Sequence, residues 1–443
     1  MGLLHKLSQN NIKKAIRYCK KNGLSQTIYA IIERMHKSQL DEYTPGKLSS
    51  IEIEEQMSYE WMHNIRISIL VPAYETNPDY LRQMIDSVIA QTYDNWELVI
   101  ADASKSTVVE EVVRTFFDTR IMYQRLSENE GISVNTNKAL QYATGDYIGL
   151  LDHDDILTTD ALYEVAKHLE STTETPILLY TDEDKVDETL TRFYEPNYKR
   201  EFNLDLLLSN NYICHFTVIR ADYIKELKFR KEYDGAQDYD LFLRIVSRLL
   251  KEQQLSKIEH IDKVLYHWRC HAGSTSENPD SKMYAYEAGK KAVQYFVDSK
   301  GWKAQVMHTN HLGFYRVVYK DENILAQRSD VAIVGGNVVH KNKILSGAMF
   351  LDGTSLYKGM SIHYSGYMHL AAMQQQVDAV DIRCMRVDTS GACEGLADYY
   401  EECMEQLEGA TEEMLIKMSL QLCQIARKQG FKVIFDPKMI VAV

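Results

Sequence analysis

Long apolar runs are missing from this 443-residue chain. No window approaches the roughly 18 consecutive apolar residues of a membrane span. The opening MGLLHKLSQNNIKKAIRYCK has neither the apolar centre nor the cleavage site of a secretory signal, so a cytoplasmic location is expected. Cysteine is scarce and unpatterned. Its seven residues, scattered from Cys19 to Cys423, are odd in number and form no Cys-x-x-Cys pair, which speaks against a disulfide framework or a zinc site. An excess of positive charge is also lacking: the net charge of −13 argues against nucleic acid as a partner, because a phosphate backbone needs a basic surface. No glycine-rich Walker or GxGxxG loop occurs, so phosphates must be held by metal and side chains.

What is present has room for two or three domains, with 45% hydrophobic residues to fill their cores. Residues 1–38 carry eight basic side chains (Lys6, Lys13, Lys14, Arg17, Lys20, Lys21, Arg34, Lys37) against the single acid Glu33. Apolar residues recur there at helical spacing, and Asn22-Gly23 reads as a C-cap between two short helices. Two readings stand: a solvated helical hairpin packed on the main domain, or a patch resting on anionic lipid at about 1 kcal/mol per basic residue. The expected division is a basic helical extension over 1–60, a main domain over 61–325 and a smaller α/β segment over 326–443.

From residue 67 short β-branched runs alternate with amphipathic stretches, the pattern of βα units and a mostly parallel sheet. Strands are expected at 67–71, 96–101, 120–126, 147–151, 177–181 and 212–219, and helices at 80–90, 108–117, 134–143 and 237–250. The polar stretch after Thr181 reads as a binding loop over the sheet. In such sheets ligands bind beyond the carboxyl ends of the strands, and there the sequence places Pro72-Ala73-Tyr74-Glu75, Asp102-Ala103-Ser104 and Asp152-His153-Asp154-Asp155. Asp152 and Asp154, two apart at a strand end, point to one side and can share a divalent cation. Among 63 acids in 443 residues, chance alone gives roughly nine acid-x-acid triplets, and their usual context is a solvated turn. Here the pair follows the buried run YIGLL. Magnesium and manganese are held by one or two carboxylates together with substrate phosphates, which a diphosphate-bearing donor would supply.

The segments VPAYE, VIADAS, NEGISVNTNKALQYATGDYIGLLDHDD, GAQDYDLFLR and VLYHWRCHAGSTS, in this order, resemble glycosyltransferase family 2 across residues 59–318. The lead-in NNIKKAIRYCKKNGLSQTI resembles the N-terminal extension of members that assemble O-antigen, rhamnan and other bacterial cell-surface polysaccharides. The resemblance implies a GT-A fold, Rossmann-like with flanking helices, and a nucleotide-diphosphate sugar as donor. It implies that Pro72, Tyr74 and Glu75 line the nucleoside pocket, that Asp102 bonds the base edge, and that Asn137 lies near the donor. Asp152 would face the ribose or the metal, and Asp154 would ligate manganese or magnesium. Asp238 matches the family's catalytic base, with Asp240 supporting the site. His267, Arg269, His271 and Ser274 would close over the diphosphate, Arg269 stabilising the leaving group and His267 adding a metal ligand. Asp182, Glu183, Asp184 and Lys199 fall where such enzymes bind acceptor hydroxyls. The structural alternatives are packing or capping for Tyr74 and Asn137, and dipole-favoured acids in a first helical turn for Asp238 and Asp240.

After residue 326 the order of segments resembles the back half of a second, degenerate GT-A domain, the alternative being an unrelated small α/β appendage. Aligning LCQIARKQG with LFLRIVSRL puts Ser419 where Asp238 stands. The expected function is an inverting transferase acting on a lipid-linked glycan acceptor at the inner face of the cell membrane. The alternatives are a catalytically silent scaffold that binds glycan or partner subunits, and a nucleotidylyltransferase. Both Asp154 and Asp238 are present, against the first. VPAYETNP lacks the glycine-rich loop that the second needs.

Overall fold

A computed structural model describes residues 43–271 and 283–443, together with Ile16, Cys19, Gly23, Thr27, Ile28 and Ile31. The rest of the basic extension and Ser274 lie outside the described residues. The chain forms two compact units, one of Glu42–Phe202 and Asn211–Phe296, the other including Asn203–Asn210 and Val297–Val443. The two units meet in the chain after Phe296, and the short internal segment Asn203–Asn210 belongs to the second unit.

The first stretch runs α1 (Ser50–Met57), β1 (Ile67–Ala73), α2 (Pro78–Ile89), β2 (Trp96–Asp102), α3 (Val108–Val113), β3 (Ile121–Arg125), α4 (Ile132–Leu140), β4 (Tyr147–Leu150), β5 (Ile156–Leu157), α5 (Ala161–Ser171), β6 (Leu178–Asp187) and β7 (Phe193–Asn197). It continues with α6 (Leu204–Ser209), β8 (Thr217–Arg220), α7 (Ala221–Leu227), α8 (Gln237–Glu252), β9 (Ile258–Cys270) and α9 (Met283–Ser299). The strands of the first unit order as β3-β2-β1-β4-β8-β6-β9-β5, with β7 beside β6. β3, β2, β1 and β4 are mutually parallel, whereas β8 runs antiparallel to both its neighbours. β1 and β2 are apolar runs buried almost throughout, as parallel strands covered on both faces must be. Because β1 lies between β2 and β4, the sequences after these strands emerge side by side at one sheet edge. α2 begins where Asn77 accepts the N–H of Asp79 at 2.9 Å with Pro78 in its first turn, a favoured helix start.

Two expectations change. The strand expected at 212–219 begins only at Thr217. The stretch after Thr181, expected as a loop, continues β6 to Asp187 and turns back through β7. Its acids disguise a strand: Asp182 and Asp184 are buried, which is tolerable because β9 runs alongside and brings a histidine to each, His260 at 2.8 Å and His267 at 2.5 Å.

In the second unit, β10 (Ala304–His308) and β11 (Tyr315–Tyr319) form a hairpin. They are followed by β12 (Val331–His340), β13 (Lys343–Ser346), β14 (Ala348–Met349), β15 (Gln375–Gln376), β16 (Ala379–Val380), β17 (Met385–Val387), α10 (Leu396–Glu405), α11 (Glu412–Lys428) and β18 (Lys432–Ala442). Its sheet is centred on the parallel pair β12 and β18. α6 is fixed in this unit by a buried ion pair from Arg328 to Asp205. Ser419 is fully buried, its hydroxyl donating to the Leu415 carbonyl at 2.7 Å and accepting the Ile382 N–H at 2.9 Å. It is a packing and bonding residue of α11.

Candidate active site

An open pocket lies at the carboxyl ends of β1 and β4, within the first unit. Its lining includes Pro72, Asp152, Cys214, His215, Phe229 and Asp238. Pro72, Asp152 and Asp238 were singled out in the sequence, and the fold brings them to one cavity. Asp152 follows β4, and Asp238 sits in the first turn of α8, whose entry is set by neighbouring turns. Gly131, at the start of α4, has φ +100°, a conformation that other residues adopt only with strain, and a Cβ there would crowd the end of the Asp234 side chain.

Around Asp152 the charges are crowded. Although its side chain opens on the pocket, desolvation by the surrounding protein raises its pKa, Asp154 and Asp238 push the same way, and His215 opposes them. Asp155 is 1% exposed and spends its two oxygens on the Tyr266 hydroxyl at 2.5 Å and the Arg269 N–H at 2.7 Å. Burial, then Asp154 and Asp152, raise its pKa well above the usual carboxylate value. Asp154 is more open. Its Oδ2 stands 2.9 Å from Nε2 of His271, and the two side chains are 21% and 23% exposed.

Two groups could hold a cation. Asp152, Asp155 and His215 offer ligand atoms within 4.8 Å of one another. Asp154 and His271 offer a carboxylate and an imidazole beside Asp152. The second group fits a substrate-bridging cation better, because both members reach solvent, whereas both oxygens of Asp155 are engaged inside the protein. His267 is not part of either. Its Nδ1 bonds Asp184, which also accepts the Tyr43 hydroxyl at 2.9 Å. β9 thus holds His267 inside the sheet against Asp184, while His271 stands beside Asp154.

His215, hidden in an apolar run of the sequence, donates from Nδ1 to Oε2 of Glu183 at 3.0 Å and stacks on Tyr266 at 4.6 Å. Burial opposes its protonation, but Cys214 and Glu183 outweigh it and raise the pKa well above the usual value. Burial would raise Glu183, yet Lys199 and His215 hold it at about 2. Burial pushes the Cys214 thiol up to about 12, which makes it a hydrogen-bond donor and not a thiolate.

The other expected residues are placed as follows. Tyr74 is exposed. Glu75 accepts the N–H groups of Lys105 at 2.6 Å and Ser106 at 3.1 Å and the Ser106 hydroxyl at 2.7 Å, bonds that lower its pKa. Asp102 is buried and accepts from Ser104, Tyr123 and Arg125, each at 2.8 Å. Asn137 pairs both amide atoms with the backbone of Phe229, at 2.8 and 2.9 Å, and so fastens a pocket residue to α4. Asp240 is buried between Arg230 and Arg244. Arg269 is fully buried, packs over the Tyr80 ring at 4.5 Å, and donates to the carbonyls of Asp154 at 2.6 Å and Glu188 at 3.0 Å. One of its terminal nitrogens has no partner among the described residues. The acceptor set departs most from expectation: Asp182, Glu183, Asp184 and Lys199 are buried or half-buried, and Lys199 donates to the carbonyls of Ile213 at 2.9 Å and of His215. They are bonded within the protein, not spread over a solvated loop.

The family model of Glycosyl transferase family 2 matches residues 68–228. An uncharacterised protein, y4gI of Sinorhizobium fredii, is 42% identical over 52% of this chain and 25% of its own length. The O-antigen biosynthesis protein RfbC of Myxococcus xanthus is 32% identical over 57% of this chain and 20% of its own. The chain thus spans a quarter or less of these two relatives. WcaA of Escherichia coli K12, a glycosyl transferase named for colanic acid biosynthesis, is 30% identical over 45% of this chain and 74% of its own length. With that coverage, and with its matched region building the sheet edge that carries Asp152, the chain belongs to glycosyltransferase family 2.

Proposed function

We propose that the chain transfers a sugar from a nucleotide-diphosphate donor to a glycan acceptor with inversion at the anomeric carbon, in the assembly of a cell-surface polysaccharide. The observation that carries this reading is the shared pocket of Asp152 and Asp238, an acid at the donor-side strand end and a second acid on the helix beside it. Asp238 accepts the proton of the acceptor hydroxyl while that oxygen attacks the anomeric carbon. The bond from that carbon to the diphosphate breaks, and its electron pair leaves with the nucleotide. Asp154 and His271, with Asp152 beside them, would hold manganese or magnesium, which when bound supplies positive charge to the diphosphate. The unpartnered nitrogen of Arg269 is a further donor for that group. Tyr74 and Glu75 lie at the nucleoside end, with Asp102 buried beneath them. The names of RfbC and WcaA support a polysaccharide product. Among the described residues no helix is long and apolar enough to cross a membrane, and the basic 1–38 segment supports a peripheral encounter with anionic lipid near a lipid-linked acceptor. Vesicle co-sedimentation at low and high salt, with and without that segment, tests the encounter. Calorimetry with UDP-, dTDP- and GDP-sugars plus manganese tests the donor class, and absence of binding to all of them would refute it.

A further inference from the structure

Asp238 is gripped by a side chain that the mechanism above does not use. Asn211 donates an Nδ2 hydrogen to Oδ2 of Asp238 at 2.9 Å, and the Cys214 thiol donates to the same oxygen at 3.6 Å. Among the described residues no hydrogen bond reaches Oδ1 of Asp238, so one oxygen is held and the other is left to the pocket that Asp238 lines. The orientation of the Asn211 amide follows from chemistry: an ionised carboxylate only accepts, so the nitrogen must face it. Its own Oδ1 is thereby buried without a partner among the described residues. Buried acceptors are nearly always satisfied. A residue kept for packing alone would be an apolar side chain with nothing to satisfy. Here the fold carries an unmet acceptor in order to keep one N–H on the Asp238 carboxylate.

We propose that Asn211 is a positioning residue for the transfer: it pins Oδ2 of Asp238 so that Oδ1 is the oxygen that meets the acceptor hydroxyl. The inference rests on Asp238 being the base. Without the Asn211 N–H the carboxylate turns about its Cβ–Cγ bond, held only by the long thiol contact, and spends less time aligned with the incoming hydroxyl. Asn211 does not line the pocket, so donor binding is untouched.

The test uses the full chain with manganese, and UDP-glucose, UDP-galactose and UDP-N-acetylglucosamine assayed in parallel for release of UDP. Asn211→Ala and the similarly branched, uncharged Asn211→Leu are made in the wild type and in Asp238→Asn, with thermal melting to confirm folding. The expected result is a fall in kcat of about 10–100-fold, donor KM within about twofold, and no further loss when either change is added to Asp238→Asn. A wild-type kcat in both Asn211 variants overturns the proposal. So does an equal fold-loss in the Asp238→Asn background, or a loss matched by a rise in donor KM. If Asn211→Ala does not fold, Asn211→Leu, which removes the N–H, keeps the branched shape and adds no charge, decides. Near-normal turnover in Asp238→Asn itself refutes the base reading instead. A dead Asp238→Asn beside active Asn211 variants leaves the base standing and removes Asn211.

Discussion

Oδ2 of Asp154, just past β4, stands 2.9 Å from Nε2 of His271, one residue beyond β9. Chain positions 117 apart thus present a carboxylate and an imidazole together, two donors that a divalent cation can share. Asp154→Asn and His271→Gln should each remove the manganese-dependent part of UDP binding, measured by calorimetry with and without the ion. His267→Gln should retain it, because His267 is committed to Asp184. Manganese-dependent binding that survives in Asp154→Asn would move the ion to the Asp152, Asp155 and His215 group.

Glu183 gives a prediction about acid stability. Its folded carboxyl stays charged down to about 2, against an ordinary value of 4.5. A depressed carboxylate stabilises the fold above its unfolded pKa, and that contribution drains away as pH falls from 4.5 towards 2. A depression of this size corresponds to about 3 kcal/mol at neutral pH. Urea unfolding of the wild type and Glu183→Gln should therefore differ most at pH 7, with the gap narrowing steadily below pH 4.5. A gap independent of pH would show that the loss comes from packing and not from charge.

The second unit should bind no nucleotide of its own. Ser419 stands where an aligned base would fall, yet its hydroxyl is spent on Leu415 and Ile382, and the Asp–Asp–His group found among the described residues lies in the first unit. Titration with UDP and manganese should saturate at one site per chain. Two sites would mean that the second unit kept a binding function.

The parallel strands were legible because they are short runs rich in β-branched and other apolar residues, and the acids after β1, β2 and β4 were legible because strand ends are where such sheets work. β6 beyond Thr181 was not, since the acids at 182 and 184 become tolerable only through histidines some eighty residues away. The two histidines are told apart only by the fold: periodicity cannot say where β9 ends, so His267 inside the sheet and His271 past its edge look alike in the sequence. Asp152 and Asp238 could be read as site residues, but nothing local in YICHF announces that Asn211 and Cys214 will close on an acid of α8. That meeting is tertiary.

The last prediction concerns Asp238. A sugar hydroxyl is a poor nucleophile at neutral pH, so a carboxylate must take its proton as the new bond forms. Asparagine keeps the shape, and as an acceptor it keeps the bond to Asn211, but it has no basicity. Asp238→Asn should therefore bind UDP and manganese as the wild type does while transfer slows by about 10²–10⁴-fold, or roughly 3–5 kcal/mol of barrier. Rates come from single-turnover release of UDP, and binding from calorimetry on the same preparation. A variant that loses both has lost its pocket, and one that loses neither removes Asp238 from the role. The product supplies an independent reading: a base assisting attack from the face opposite the leaving diphosphate yields inverted anomeric configuration, which NMR of the wild-type product reports. Retained configuration would overturn the single displacement even if Asp238→Asn were inactive, because the acid would then serve a different step.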